Sequence, residues 1–230
     1  MEQNQLDNLT ATLGISKDQI LREEAEMSIL DALAKDKLAA QMIFYGGTAL
    51  RLAYNSPRFS EDLDFIAVQK IDFTDFKNFL NVICASHDRW SIHDLKNKRN
   101  TMFALILIKD DKLKHNFTVK IEIRQTNEKI KLETSLSIIK SQTSIAEPLL
   151  LVPTLSALRQ LKINALRERK KARDIFDLWY IAQTARENFV LPKNLPGYSE
   201  REFKNELQVF LPKKYYPVIK QLYEQTNTKA

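Results

Sequence analysis

Cysteine, glycine and long apolar runs are all scarce in this 230-residue chain, and each shortage excludes something. The single cysteine, Cys84, rules out an internal disulfide. It lies in the apolar run from Phe76 to Ala85, where it reads as a small core hydrophobe of a protein kept in a reducing compartment. No apolar run approaches the length needed to span a bilayer, and Met1 to Gln5 lack the basic start and apolar core of a signal peptide, so no membrane association and a cytoplasmic location are expected. No repeat, low-complexity tract or long linker breaks the chain. Acidic residues do not dominate either: 35 Lys and Arg against 29 Asp and Glu give a net charge of +6, which favours an anionic partner, with nucleic acid ahead of chance. Only four glycines are present, so the adjacent pair Gly46 and Gly47 stands out.

That pair organises the chain. Met42 to Tyr45 reads as a short buried strand, and the helix-favouring segment Thr48 to Tyr54 follows the glycines, so the chain turns sharply from strand to helix. Without a Cβ, Gly46 and Gly47 allow a tight bend and let a ligand approach the amides that open the helix, a place suited to phosphate. A polar bend leads to Glu61-Asp62-Leu63-Asp64-Phe65, where strand alternation sends Asp62 and Asp64 to one face and Leu63 and Phe65 to the core. Two adjacent carboxylates repel and call for a counter-cation, and Mg²⁺, or Mn²⁺, is the usual one where oxygen ligands meet phosphates. An Asp-x-Asp pair also occurs on exposed edge strands, but its combination with a Gly-Gly turn upstream is much rarer.

The run from Gly46 to Leu52, followed by Arg58 to Phe65, resembles the first motif of the AbiEii/AbiGii toxin family, a branch of the polymerase-β-like nucleotidyltransferases. A second run, with Lys162, Ala165, Leu166, Glu168 to Lys170, Arg173, Asp174, Asp177 and Leu178, is similar to the family's lysine-bearing helix and its Arg-Asp-x-x-Asp-Leu turn. The resemblance spans roughly residues 17 to 182. It implies a mixed sheet flanked by helices, a nucleotidyl transfer activity, and a toxin role with a cognate antitoxin as partner. It also implies that Glu122, on the charged face of a strand shared with Lys120 and Arg124, is the third acid of the metal site beside Asp62 and Asp64.

The chemistry explains these residue types. A hydroxyl attacks the α-phosphate of a nucleoside triphosphate and pyrophosphate leaves, so negative charge builds on non-bridging and leaving oxygens. Two divalent ions about 4 Å apart, held by Asp62 and Asp64, would offset that charge. The Gly46, Gly47 and Thr48 amides and the Thr48 hydroxyl would hold the triphosphate, with Lys162 on its β- and γ-phosphates and Arg51, Arg58 and Ser60 as further contacts. Asp174 and Asp177 would orient the lysine or an acceptor group. The basic set Arg167, Arg169, Lys170, Lys171 and Arg173 is expected to hold an RNA acceptor such as a tRNA, although such a run can also be a solvated face. Two other functions stay open: transfer to a protein or small molecule, and nucleotide binding without turnover.

The expected fold is α+β, with a nucleotidyltransferase core over residues 1–151 and a helical region over 152–230 that completes the cleft. Residues 1–15 read as a loosely attached arm, and Ser16 as the cap of a helix from Lys17 to about Lys37. A helix over Phe73 to Ala85 precedes strands at Trp90 to Leu95, Thr101 to Ile108 and His115 to Arg124. Residues 127–151 read as loop and short strands, and Pro153 as the opening of a helix that runs to about Arg169. A further helix begins at Ala172, and two short amphipathic helices span Ser199 to Leu211 and Lys213 to Tyr223.

Overall fold

A computed structural model describes residues 1–125, 131–192 and 197–227. Helix α1 (Gln3–Leu13) ends at Gly14, whose φ of 67° closes it in the left-handed conformation. Leu6 of α1 is fully buried in the main core, so the N-terminal segment is a packed element and not the loose arm expected. Ser16 and Gln19 then form a reciprocal capping box that opens α2 (Lys17–Ala34). Strand β1 (Met42–Tyr45) runs into α3 (Gly46–Tyr54), followed by β2 (Asp62–Ala67) and α4 (Phe73–Ala85), the latter capped by Asp72.

Strands β3 (Trp90–Lys98), β4 (Thr101–Ile108) and β5 (Phe117–Arg124) form an antiparallel meander, and the five-stranded sheet has the order β1-β2-β5-β4-β3. β1 is antiparallel to β2, but β2 and β5 run parallel, which requires the long crossover that α4 and the meander provide. Burial alternates along β5: Phe117, Val119, Ile121 and Ile123 enter the core, and Thr118, Lys120 and Glu122 face away. The sheet is therefore mixed and flanked by helices, as expected.

A separate two-stranded ribbon, β6 (Thr134–Ile138) with β7 (Leu149–Pro153), follows. Of the stretch read as loop and short strands, residues 127–130 lie outside the described residues. Pro153 ends β7 instead of opening a helix, and the Thr154 side chain, accepting from the Ala157 amide, caps α5 (Leu155–Arg169). α6 (Ala172–Ala185), α7 (Glu200–Phe210) and α8 (Tyr216–Asn227) complete the chain.

Among the described residues, buried side chains gather in three clusters. One lies between the sheet, α1, α2 and α4; a second, around Phe176, Phe203 and Leu222, joins α6, α7 and α8. A small third cluster of Leu50, Leu158 and Ile181 fastens α3 to α5 and α6. The Tyr180 hydroxyl reinforces that seam by donating to the Tyr54 carbonyl at 2.7 Å, and the Phe59 amide, donating to the Phe210 carbonyl at 2.8 Å, ties the segment before β2 to the end of α7. Among the described residues no helix is long and apolar enough to cross a membrane.

Candidate active site

Two groups of charged side chains meet where β1 turns into α3. The turn demands glycine twice. Gly46 has a φ of 89°, and a Cβ there would lie 2.7 Å from Asp64 Oδ2. At Gly47 a Cβ would lie 2.5 Å from Arg58 Nη2 and 2.6 Å from Ser60 Oγ. Tyr45 precedes the helix without capping it, so the amides that open α3 have no side-chain acceptor from that position. Thr48, expected to hold phosphate through its hydroxyl, is fully buried and donates that hydroxyl to the Asp62 carbonyl at 2.6 Å. It fixes the start of β2 to α3 and is not turned toward a ligand.

The open group lies on the sheet. Register pairs Tyr45 with Asp64, Asp64 with Glu122, and Asp62 with Lys120, so all five side chains share the face away from the core. Asp62 and Glu122 are 36% and 39% exposed, enough to reach solvent or a ligand. Asp64 is partly buried. Burial first, then the charge of Asp62, raises its carboxyl to about 6, against the opposing pull of Lys120. Burial, then Asp64, pushes the Tyr45 phenol up to about 12. Lys120 was not singled out by the sequence, yet its Nζ sits 3.0 Å from Asp62 Oδ2 and 3.8 Å from Glu122 Oε2. Burial opposes its charge, but Asp62 more than compensates and raises its pKa. Among the described residues no three acidic, His or Cys side chains already converge around one point as metal ligands do. Even so, the donor set of three neighbouring carboxylates, one of them short of compensating charge, fits a hard divalent cation.

The closed group lies beneath it, between the first motif and α5 and α6. Arg58 is 2% exposed and grips Asp177 with two hydrogen bonds, Nε to Oδ1 at 2.6 Å and Nη2 to Oδ2 at 2.8 Å. Lys162 Nζ meets Asp177 Oδ2 at 2.5 Å and Asp174 Oδ1 at 3.4 Å, and Arg169 clasps Asp174 at 2.7 and 2.8 Å. Asp174 and Asp177 are completely buried. Burial alone would raise the Asp177 carboxyl, but Arg58 and Lys162 overcome it and hold the group at about 2. The charge of Lys162 also reaches Asp64, so the two groups feel each other.

Several expected contacts are therefore placed elsewhere. Arg58 is wholly committed to Asp177 and the Phe59 carbonyl, and is a brace between the motifs rather than an open phosphate contact. Arg51 pairs with the buried Glu23 of α2, donates to the Ser56 carbonyl at 3.0 Å and stacks on Phe59, which leaves it lining a different cavity of about 380 Å³. Ser60 stays partly exposed beside Gly47. Of the expected RNA-binding set, Arg167, Lys170 and Lys171 are exposed and make no ion pair with any described residue. Arg169 is taken by Asp174, and Arg173 faces Glu206 at 4.0 Å. Glu206 also accepts from the Ala172 amide at 3.1 Å, satisfying the opening of α6.

Comparison with known proteins bears on the family and the fold. The family described as nucleotidyl transferase AbiEii toxin, type IV toxin–antitoxin system, matches over residues 28–208. In fold the chain is similar to MenT4, a nucleotidyltransferase toxin of Mycobacterium tuberculosis, with a TM-score of 0.65 and 15% identity, covering 97% of this chain and 88% of that one. It is also similar to JHP933 of Helicobacter pylori, with a TM-score of 0.55 and 20% identity over 93% of this chain and 97% of that one. No curated protein matches the sequence.

Proposed function

The chain belongs to the AbiEii family of nucleotidyltransferase toxins of type IV toxin–antitoxin systems, and from that premise we propose that it transfers a nucleotide from a nucleoside triphosphate to RNA in a divalent-metal-dependent reaction. The observation that carries this reading is the meeting of two charge groups from distant parts of the chain: Asp62, Asp64 and Glu122 across β2 and β5, with the Lys162 charge reaching Asp64 from α5. A toxin of this family has an antitoxin as its counterpart, and the reaction belongs in the cytoplasm, where nucleoside triphosphates and RNA are found.

In this reaction an acceptor hydroxyl oxygen bonds to the α-phosphorus while the bond from that phosphorus to the bridging oxygen on its β side breaks. Pyrophosphate departs and the hydroxyl proton passes to water. Negative charge grows on the leaving oxygen and on the α-phosphate. Asp62, Asp64 and Glu122 would hold Mg²⁺ or Mn²⁺, which when bound polarises the α-phosphate and offsets that charge. The Gly46-Gly47 turn lets phosphate oxygens approach the uncapped amides of α3. Lys162 is 4% exposed and engaged by Asp177 and Asp174, so its part is that of a fixed positive charge near Asp64 and the phosphates bound there. Arg58 holds Asp177, which holds Lys162; Arg58 and the two buried aspartates thus act as positioning residues. Binding of RNA falls to Arg167, Lys170 and Lys171 at the exposed exit of α5, with Arg169 and Arg173 behind them.

The test is labelling. Full-length protein with Mg²⁺, each labelled nucleoside triphosphate and total bacterial RNA is expected to label RNA, and Lys162→Ala is expected to label none while keeping its metal affinity. Lys170→Ala/Lys171→Ala should weaken RNA binding and flatten the slope of log affinity against log salt by roughly 1.4 to 1.8, two phosphate contacts' worth on single-stranded to duplex scales. Label on protein or on a small molecule instead of RNA would overturn the acceptor. An unchanged salt slope would make the basic exit a solvated face only.

A further inference from the structure

The sheet face that carries the three carboxylates also carries a cation of its own. β5 is the middle strand of five, bonded to β2 on one side and β4 on the other, so Lys120 cannot slide relative to Asp62 as a lysine on a loop or helix surface could. Alternation sends Lys120 to the same face as Glu122, and the parallel register sets it directly across from Asp62. Its Nζ then spans the two acids, 3.0 Å from Asp62 Oδ2 and 3.8 Å from Glu122 Oε2. Its ion-pair partners are these two acids, and its side chain is 30% exposed, well short of the solvated lysines of the surface.

We propose that Lys120 is a built-in counter-cation that takes one of the two cation places along the Asp62, Asp64 and Glu122 row, so that the protein binds a single exchangeable divalent ion. The proposal rests on the metal-dependent reading of the site and narrows it, since two ions would be the expectation from the carboxylates alone. The reason is electrostatic. An ammonium lying against Asp62 blocks one of that residue's oxygens and repels a second divalent ion brought within a few ångströms, and it supplies at that end of the row half of the positive charge the ion would have brought. It does so from a strand fixed in the middle of the sheet. At the other end of the row Lys120 stands farther off, 3.8 Å from Glu122 Oε2, and Asp64 is in no ion pair with a described residue, so that end is left for the exchangeable ion.

The experiment counts bound Mn²⁺ by electron paramagnetic resonance on the full chain, with Mn²⁺ alone as the probe and no nucleotide. The parent is expected to saturate at one ion per chain, Lys120→Arg at one, and Lys120→Met at two. Lys120→Gln is measured beside it, so that a folding defect in the methionine variant does not decide the result, and thermal melting confirms that each variant is folded. Two ions in the parent, or a single ion in both Lys120→Met and Lys120→Gln, would overturn the proposal. Asp64→Asn separates this from the parent reading: it should abolish the parent's ion, and if Mn²⁺ binding survives it unchanged, the carboxylate row is not the metal site at all.

Discussion

The two charged groups that meet at the Gly46-Gly47 turn both set carboxylates against basic side chains and behave in opposite ways. In the closed group, Arg58, Lys162 and Arg169 outnumber the buried Asp177 and Asp174, and each aspartate is gripped from more than one side. In the open group, three carboxylates share Lys120 on a partly exposed sheet face. The consequence appears in the protons: Asp177 is held at about 2 and Asp64 is raised to about 6. The closed group stabilises the native state and ties the β1–α3–β2 motif to α5 and α6. In the open group burial and the charge of Asp62 disfavour the ionised Asp64, which works against the native state at neutral pH. Compensated buried charge and under-compensated, partly exposed charge are thus divided between neighbouring clusters, so the second can be short of positive charge while the first holds the surrounding elements in place.

Breaking the closed group should have the largest effect. Asp177→Asn leaves the buried Arg58 without its carboxylate and Lys162 with only the longer contact to Asp174. Removing one member of a buried pair costs about 3–5 kcal/mol. For a chain of this length that is about 10 °C in Tm. A thermal melt showing a loss under about 1 kcal/mol would mean that the network relaxes and is not what joins the motifs. The sign with pH follows from the direction of the shift. The folded Asp177 carboxyl lies below its unfolded value of 3.8, so its contribution is complete above about pH 4 and is lost as pH falls toward 2.

A smaller effect of opposite sign is expected in the open group. Asp64→Asn removes a charge that burial and Asp62 disfavour, so in metal-free buffer at pH 7 the variant should be more stable than the parent by about 1–2 kcal/mol, after discounting for partial exposure. The folded Asp64 carboxyl, at about 6, lies above its unfolded value of 3.8, so the parent regains stability as pH falls through 6. The advantage of the variant should therefore disappear by about pH 4. Urea melts of both proteins across that range check it, and a variant less stable than the parent at pH 7 would make Asp64 structural.

The open group was much more legible in the sequence than the closed one. Gly46, Gly47, Asp62 and Asp64 lie within one short stretch, and two local rules, glycine at a tight turn and alternation along a strand, suffice to place them. Glu122 needed the family resemblance, because the parallel pairing of β5 with β2 is a tertiary fact that no local pattern contains. Lys120 was hidden for the same reason, although its place two residues before Glu122 was the available signal. Sequence alone points Arg58 and Arg51 at phosphate, because an arginine in a glycine-rich motif has the same local signature whether it faces a ligand or a buried acid. Their partners, Asp177 and Glu23, lie 119 and 28 residues away. Thr48 illustrates the same limit on a smaller scale, since its hydroxyl is satisfied by the Asp62 carbonyl across the turn.

The central claim is that the open group, with one lysine for three carboxylates, is short of positive charge and the closed group is not. Melting the parent and Asp64→Asn across a Mg²⁺ series at pH 7.5 tests it most directly. At a concentration about one hundred times the dissociation constant, a ligand that binds only the folded state adds about 2.7 kcal/mol. The account predicts a rise of several degrees in the parent, saturating with Mg²⁺, and no rise in Asp64→Asn. An equal rise in both proteins, or none in either, would contradict it.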